Sequence, residues 1–444
     1  MKILISPMTT IHLLALSALL CFGATAKADE HDAAQQDDTL FQTEFHAADT
    51  DATLNAYITT ALENNQALRA AFDDWQAALE QAPQSSALPN PKIQWTHFVE
   101  EVQTRTGPQH NRFSLSQEIP WKGKRAHARI IAEIHAEMTW WVAEELRLEI
   151  IQNLKRAYYE YAYLAESIRI VGDNIMLLHN LEPIVQARVR GGASQGDLLK
   201  LQIEIAKLED EREALTRLRP AQSRQLGAIL NYSRADILPW PELAPPDDRS
   251  YRVAELMKSL DTNNAALKRL QHQIRKADHH VTHVELDKRP DFTVGITYID
   301  THHAVGAMKP SDSGSDPFSI DFGMSIPIWH KKNNARVRQA KSQHSSVRRT
   351  LAQKRFDLHA ELEMQVYHLE DAARRITLYK DTLIPRTMQA VEIMQVEYQS
   401  GNTALLDIID SERELLSYEK SYWSAVRDYR QRLADLEGLC GGEL

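Results

Sequence analysis

Two segments in the second half of the chain alternate between apolar and polar residues. Within residues 291–298 and 318–326, every second residue is apolar, and the residues between them are mostly small or polar. Weaker alternation occurs within residues 92–100 and 112–119. A period of two predicts β-strands with one apolar and one polar face, which suits a sheet between lipid and water. A half-buried sheet in a soluble domain has the same pattern, so alternation alone leaves both open.

Helical sequence of unusual length follows each pair of predicted strands. The stretches at about residues 126–188 and 335–398 favour helix, and they contain no proline before Pro183 and Pro385. A helix of about sixty residues would be roughly 95 Å long, whereas helices of globular proteins average about 10–14 residues. We therefore expect coiled-coil or helical-barrel packing.

Three short motifs occur twice in the same order, about two hundred positions apart. They are Asn-Asn-x-Ala-Leu at residues 64–68 and 263–267, Ile-Pro before a tryptophan at 119–121 and 326–329, and a glycine six positions before an aspartate at 191–197 and 401–407. Ordered repetition of this kind indicates duplication of a structural unit. We predict a first repeat at residues 53–238 and a second repeat at 251–440. The proline-rich linker between them, residues 239–250, should pass near the middle of the long helices.

The N-terminus has the features of an export signal. Lys2 precedes an apolar core at residues 11–22, and two small-x-small cleavage sequences follow within residues 24–28. We therefore predict a cleaved signal peptide at residues 1–28 and a flexible acidic segment at 29–52. Lipidation of Cys21 is not expected, because Leu20 stands where a lipoprotein signal needs a small residue. Cleavage would leave Cys440 as the only cysteine and exclude an intrachain disulfide.

Composition and motif content narrow the class of protein. The chain is 43% hydrophobic and 25% charged, and its net charge of −10 argues against binding to nucleic acid. No apolar run after the signal is long enough for a membrane-spanning helix. The sequence shows no nucleophile elbow, phosphate-binding loop or compact set of metal ligands, so we expect no enzyme, no cofactor and no resident metal.

The predicted strands have consequences if they cross a bilayer. Their lengths suit tilted membrane strands, and Trp121 and Trp329, just past the second strand of each pair, are candidate membrane-interface aromatics. Four strands cannot close a barrel, and open sheet edges are not tolerated in lipid. Spanning strands would therefore require several copies of the chain.

These features together resemble the TolC-like outer-membrane efflux factors along nearly the whole mature chain. The resemblance rests on the duplication, on Leu88-Pro89-Asn90-Pro91 before the first strand, on the run from Ser116 to Pro120 leading into Gly123-Lys124-Arg125, and on the two Gly-to-Asp turns. It implies a homotrimer whose twelve-stranded β-barrel lies in the outer membrane of a Gram-negative bacterium and continues into a periplasmic α-helical barrel. It also implies a passive exit duct that works with a periplasmic adaptor protein and an inner-membrane transporter of the RND type.

The resemblance places the periplasmic end of the duct at the two glycine turns. Gly191, Gly192 and Gly401 would supply the backbone freedom for these turns and contact the adaptor. Three copies of Asp407 and Asp410 would form an acidic constriction that favours cations. Asp197 and Asp407 could instead be residues that favour a helix start, and the first repeat carries Lys200 where the second carries Asp410. We also expect Tyr398 to hydrogen-bond Asp197 on a neighbouring helix and hold the tip shut.

The exported substrate is the least constrained expectation. The run from Gln117 to Arg125 looks most like the heavy-metal branch of the family, which exports divalent cations. The same duct could serve organic compounds or a secreted polypeptide, and a periplasmic coiled-coil adaptor or scaffold is the alternative of another class. Whether the chain's paired histidines touch metal stays open; they are His279, His283, His302 and His303.

Overall fold

The computed structural model describes residues 52–232, 237–247, 249–306 and 310–444. The predicted signal peptide at residues 1–28, and all but the last residue of the predicted flexible segment at 29–52, lie outside these ranges. Residues Ala56–Leu444 form one compact unit. Of the unit before it, only residues 52–55 are described, and they are helical.

Most of the described residues are helical, and four strands form one sheet among them, which confirms a mainly α fold with a small β part. The helices of the first half are α1 (Ala52–Asn64), α2 (Gln66–Leu79), α3 (Gln81–Ser86), α4 (Lys124–Arg190) and α5 (Gln195–Ile229). Those of the second half are α6 (Val253–Asn263), α7 (Ala265–Leu286), α8 (His330–Leu378), α9 (Ile384–Ser400) and α10 (Leu405–Cys440). The strands are β1 (Lys92–Thr104), β2 (Gly107–Ile119), β3 (Asp291–Thr301) and β4 (Phe318–Ser325).

The repeated Asn-Asn motif has the same local role in both halves. Asn65 is the N-cap of α2, where its side chain accepts a hydrogen bond from the backbone N of Leu68 at 3.0 Å. Asn264 is the N-cap of α7 and accepts from Leu267 N at 3.1 Å. Each asparagine satisfies an N–H that the first helical turn leaves unpaired. The second asparagine of each motif therefore fixes where a helix begins.

The four strands are antiparallel and lie in the order β1–β2–β3–β4. All four predicted strands are confirmed, and β1 and β2 extend beyond the predicted segments, to a turn between Thr104 and Gly107. The register aligns apolar residues in rows, such as Trp95, Phe113, Tyr298 and Phe318, or Ile93, Leu115, Ile296 and Ile320. Because directly opposed residues share a face, one face of the sheet is apolar across all four strands.

The first predicted long helix is confirmed, and the second is interrupted. The 67 residues of α4 continue through Pro183. The second predicted long helix, over residues 335–398, is helical throughout, but a π-helical turn at Tyr379–Leu383 joins α8 to α9. Pro385 lies in the first turn of α9. Proline has no N–H and its ring clashes with the carbonyl four residues earlier, so the widened turn accommodates it where an unbroken α-helix would be strained.

The linker packs against the long helices. The rings of Trp240 and Tyr161 are 4.7 Å apart between centroids, and the Arg219 guanidinium lies 4.1 Å from the centre of the Trp240 ring. The Tyr161 hydroxyl donates to the carbonyl of Leu238 at 2.8 Å. Tyr161 is close to the midpoint of α4, so the linker crosses the helix about halfway along its length.

Charged groups join α4 to α10. The buried carboxylate of Asp435 accepts from Gln152 and Arg156 of α4, each at 2.8 Å, and Arg156 also approaches it to 2.6 Å. Lys155 of α4 pairs with Glu437 at 2.6 Å. A carboxylate removed from water needs such partners, because an unpaired buried charge is strongly destabilising. The network therefore fixes how these two helices align.

Candidate functional site

Two turns lie at the ends of the long helices. Only some of their glycines adopt a backbone conformation that other residues avoid. Gly192 and Gly401 have φ of +103° and +89°, which L side chains rarely adopt. Gly191 has φ of −83° and needs no such freedom. Beyond the first turn, Ser194 caps α5 by accepting from Gly196 N at 3.1 Å. We call the turns at residues 191–194 and 401–404, with the helix ends that flank them, the tip region.

A buried apolar cluster holds the two turns together. It combines residues of α4 and α5 from the first half with residues of α9 and α10 from the second, among them Leu181, Val185, Leu201, Ile205, Tyr398, Leu405 and Ile408. Arg188 adds a polar link, since its Nη1 donates to the carbonyl of Tyr398 at 2.6 Å. Its guanidinium also lies 4.3 Å from the centre of the Tyr398 ring. Sequence reasoning missed Arg188, because its partner lies 210 positions away.

Tyr398 is buried, with 2% of its surface exposed. Within the described part of the chain its hydroxyl has no hydrogen-bond partner, so the predicted bond to Asp197 is not formed inside one chain. Burial raises the pKa of Tyr398; Arg188 opposes this shift, and the charge of Asp197 adds to it. The charge of Asp197 thus acts on Tyr398 within the chain, and a hydrogen bond between the two side chains stays a prediction.

The two candidate acidic residues of the tip have different surroundings. Asp407 lies in the first turn of α10, and its carboxylate accepts from the backbone N of Ala404 at 3.4 Å, which fits the alternative of a helix-start residue. Asp410 pairs with Arg413 at 2.9 Å, and Arg413 also binds both oxygens of Glu204 on α5. The hydrogen bond from Arg413 lowers the pKa of Glu204. Arg413, three residues after Asp410, is a compensating charge that spacing alone could have revealed.

Glu412, in the second turn of α10, is a buried acid of the tip region. Only 1% of it is exposed; Oε1 accepts weakly from Gln395 at 3.5 Å, and Oε2 has no partner among the described residues. Burial raises the pKa of Glu412 to about 7; Gln395 opposes this, and the charge of Glu419 adds to it. A buried acid with an unpaired oxygen is held most easily in its neutral form.

The other candidate residues lie where the sheet meets the helices. The ring of Trp121 stacks on Phe292 at 5.8 Å, and its backbone N donates to Asp291 at 2.7 Å. Lys124, in the first turn of α4, pairs with the same carboxylate at 2.8 Å. Trp329 precedes α8 and is 70% exposed. These contacts tie the end of the first strand pair to the start of the second.

The histidines divide into two groups. His279 of α7 faces His127 of α4, with their Nδ1 atoms 3.1 Å apart, and burial lowers the pKa of the nearby His283. At the other end of the sheet, His302 stacks on His110 with ring centroids 4.3 Å apart. His303 instead contacts the carbonyl of Ser313.

No helix within the described ranges combines the length and the apolarity needed to cross a membrane.

The family model and the relative that this chain matches agree with each other. Residues 256–442 match the family model of outer membrane efflux proteins. The chain is 21% identical over 394 residues to the cobalt-zinc-cadmium resistance protein CzcC of Cupriavidus metallidurans, an alignment that covers 88% of this chain and 90% of that protein.

Solved structures share the fold. The outer membrane protein VceC of Vibrio cholerae aligns with a TM-score of 0.72 and 18% identity over 88% of this chain and 97% of its own. CusC, studied for its folding and transmembrane channel formation, aligns with a TM-score of 0.73 and 14% identity over 88% of this chain and 92% of its own. The predicted resemblance to TolC-like outer-membrane efflux factors is confirmed, by sequence in the second half and by fold over most of the chain.

Proposed function

We propose that this chain is the outer-membrane exit duct of a tripartite efflux pump. It conducts its substrate passively from the periplasm to the outside, and its partners are a periplasmic adaptor protein and an inner-membrane transporter of the RND type. Divalent heavy-metal cations are the proposed substrate. The chain does this as a homotrimer whose sheets form a twelve-stranded barrel in the outer membrane.

The observation that carries this proposal is the sheet. Its apolar face is exposed in the single chain; Phe322 is 80% exposed, Phe318 64% and Ile320 60%. A soluble monomer rarely exposes a contiguous apolar surface of this kind. The opposite face is polar, with Thr297 donating to Asp321 at 2.6 Å. An apolar outer face and a polar inner face are what a strand between lipid and a water-filled lumen needs.

The sheet edges support assembly of several chains. β1 and β4 are the terminal strands, and each pairs on one side only within the described residues. Unpaired backbone groups are not tolerated in lipid, so each edge needs a partner strand. Pairing β1 of one copy with β4 of the next would close the sheet. The choice of three copies rests on the family resemblance.

The preference for metal cations rests on two weaker observations. The curated relative CzcC is described as a cobalt-zinc-cadmium resistance protein. The tip region also carries Asp407 and Asp410, and acidic rings favour cations. Because Arg413 pairs with Asp410, Asp407 is the better candidate for an uncompensated ring. The same duct serving organic compounds or secreted polypeptides is the second candidate.

Growth of a strain that lacks the gene tests the substrate. The strain is exposed to zinc, cobalt, cadmium, nickel, copper and silver salts, and separately to dyes and detergents. We expect sensitivity to a subset of the divalent metals that the intact gene reverses. Sensitivity to organic compounds alone would retain the duct and reject the metal assignment.

Extraction of the protein from membranes tests the class. A duct is expected in the outer-membrane fraction as a detergent-extracted oligomer that dissociates on heating. A protein released by osmotic shock without detergent would be a periplasmic adaptor or scaffold instead.

A further inference from the structure

We propose that Glu101, His110 and His302 form a binding site for a divalent transition-metal ion at the end of the sheet remote from the long helices. Each of these residues offers one ligand atom, and these atoms all lie within 4.8 Å of one another. The His110 Nε2 is 3.0 Å from Glu101 Oε1, and the His110 and His302 rings are nearly parallel, at 15°. The expectation of no resident metal is thereby revised.

The strands place two of the three ligands at irregularities of the sheet. The β1–β2 register shifts between His97 and Val102, the stretch that contains Glu101. The β2–β3 register shifts between Gln109 and Asn111, where His110 lies. A bulge turns a side chain away from the direction that regular alternation would give it. The two ligands therefore come together through the bulges, which the sequence pattern does not reveal.

The third ligand is held by the backbone. The N of His302 donates to the carbonyl of Pro108 at 2.8 Å, which fixes the chain just past β3 against the start of β2. Gly107, with φ of +139°, makes this approach possible, because a Cβ there would lie 1.7 Å from the carbonyl oxygen of His302. Any other residue at position 107 would displace His302.

The loop after His302 is tied to the same β1–β2 turn. Gly314 N donates to the carbonyl of Thr106 at 2.8 Å, and Arg105 pairs with Asp312. Thr301 N donates to Asp316 at 2.8 Å. A metal site needs its ligands positioned by their surroundings, and these contacts supply that support without using the ligand atoms.

The chemistry of the ligands defines the metal class. Two imidazoles and one carboxylate suit zinc, cobalt and nickel, and they are a poor match for magnesium or calcium, which prefer oxygen ligands. Three protein ligands leave at least one position open to water. His110 and Glu101 side chains are 32% and 39% exposed, so the ion can exchange with solvent. We infer a site whose ion exchanges with solvent. The bound ion also links the β3–β4 loop to the β1–β2 turn.

Metal binding by the full-length protein in detergent, purified with a tag that contains no histidine, tests this site. Equilibrium dialysis against Zn²⁺ gives the number bound per chain, and Co²⁺ absorption reports the ligand geometry. We expect His110→Ala and His302→Ala each to lose one ion per chain or to bind it at least roughly tenfold more weakly. Glu101→Gln, which keeps the side-chain size, should weaken binding and change the Co²⁺ spectrum.

Two further variants make the test specific. His303→Ala is the matched control, because His303 lies beside a proposed ligand but contacts Ser313; it should bind like the unchanged protein. Gly107→Ala removes no ligand and should weaken binding by displacing His302. Equal Zn²⁺ binding by the unchanged protein, His110→Ala and Glu101→Gln would overturn the site, and so would an equal loss in His303→Ala. The site does not depend on what the duct conducts, so this result and the growth test can fail separately.

Discussion

At the scale of single residues, the tip region combines burial with incomplete hydrogen bonding. Glu412 and Tyr398 are both almost fully buried, and each has a side-chain oxygen without a partner among the described residues. A buried polar atom without a hydrogen bond costs about 1–3 kcal/mol. The tip region is where the proposed duct would open and close, so these two residues are tested first.

Replacing Glu412 with Gln should remove a dependence of stability on pH. The folded-state pKa of about 7 lies above the ordinary value of 4.5, so between these two pH values the folded protein binds more protons than the unfolded chain. Stability should therefore fall as pH rises through this window. At pH 8 we expect Glu412→Gln to be more stable than the unchanged protein by on the order of 2 kcal/mol. At pH 4.5 the two should be nearly equal.

Thermal unfolding at fixed protein concentration, repeated from pH 4.5 to 8, measures this difference. Exposed Glu414, two positions along α10, provides the matched control, and Glu414→Gln should leave the pH profile unchanged. A constant difference between Glu412→Gln and the unchanged protein across the pH range would contradict the prediction.

Replacing Tyr398 with Phe separates packing from gating. The hydroxyl has no partner within the described chain, so its removal should not destabilise the isolated chain by more than about 0.5 kcal/mol. If the hydroxyl bonds Asp197 when the tip is shut, the variant should conduct better than the unchanged protein in planar bilayers. Unchanged conductance would reject the pairing. Arg188→Ala, which removes the cation over the same ring, serves as a comparison in which the turns themselves are loosened.

At the scale of elements, charged networks decide how the long helices align. The side chain of Asp435 is 3% exposed and reaches from α10 to Arg156 and Gln152 of α4. Ion pairs on the helix surfaces are numerous, but exposed pairs contribute little to stability. Loss of the buried network should therefore lower the free energy of unfolding more than loss of an exposed ion pair.

Asp435→Asn should lower the free energy of unfolding by about 1–3 kcal/mol, because the charge-assisted hydrogen bonds from Arg156 and Gln152 to the buried carboxylate are lost or weakened. The matched control is Asp371→Asn; Asp371 pairs with Arg374 and Arg375 of its own helix and is 31% exposed. That variant should change stability much less than Asp435→Asn does, because exposed ion pairs contribute little. Denaturant unfolding followed by circular dichroism measures both, and equal effects would show that the buried network has no special role.

At the scale of the whole molecule, the sheet is the part of the single chain that assembly would complete. Its sheet has an apolar face without a cover and two terminal strands that each pair on one side only, within the described residues. The apolar face would be covered if it lies against lipid. The terminal strands would be paired on both sides if they lie against strands of other copies. The long helices also leave large apolar side chains exposed in the single chain, such as Phe356 at 71% and Val396 at 67%.

A lysine on each face of β4 tests this orientation. Phe322→Lys places a charge on the apolar face, and the cost in lipid would be about 2–4 kcal/mol at the middle of a bilayer. We expect much less of this variant in the outer-membrane fraction. Ser319→Lys lies on the polar face beside Asp321 and should insert normally. Equal insertion of the two variants would contradict a lipid-facing apolar side.

The local elements were largely predictable, for physical reasons. Strand alternation and glycine turns each depend on residues within a few positions, so they can be read directly from the sequence. The π-helical turn at Tyr379–Leu383 was missed, because the sequence pattern shows that a proline disturbs a helix but not how the backbone accommodates it. Both Gly191 and Gly192 were expected to supply backbone freedom for the turn, but of the two only Gly192 has a positive φ. The sequence alone does not distinguish two adjacent glycines by their φ.

The candidate site was only partly predictable. Asp407, Asp410 and Tyr398 were identified through the resemblance to a known family, whereas Arg188 and Glu204 were missed, because their partners lie more than two hundred positions away. The cluster of Glu101, His110 and His302 was missed for a related reason. His302 was noted as a loop residue, but its ligand partners belong to the other half of the chain and reach it through two bulges.

The sequence by itself determined most of the elements and their order, because hydrophobic periodicity and turn chemistry act over short distances along the chain. The tertiary structure alone decided which rows of the sheet align, which charges compensate one another at the tip, and which histidines meet. These depend on contacts between residues that are distant in sequence, and one residue of register or one bulge changes them completely.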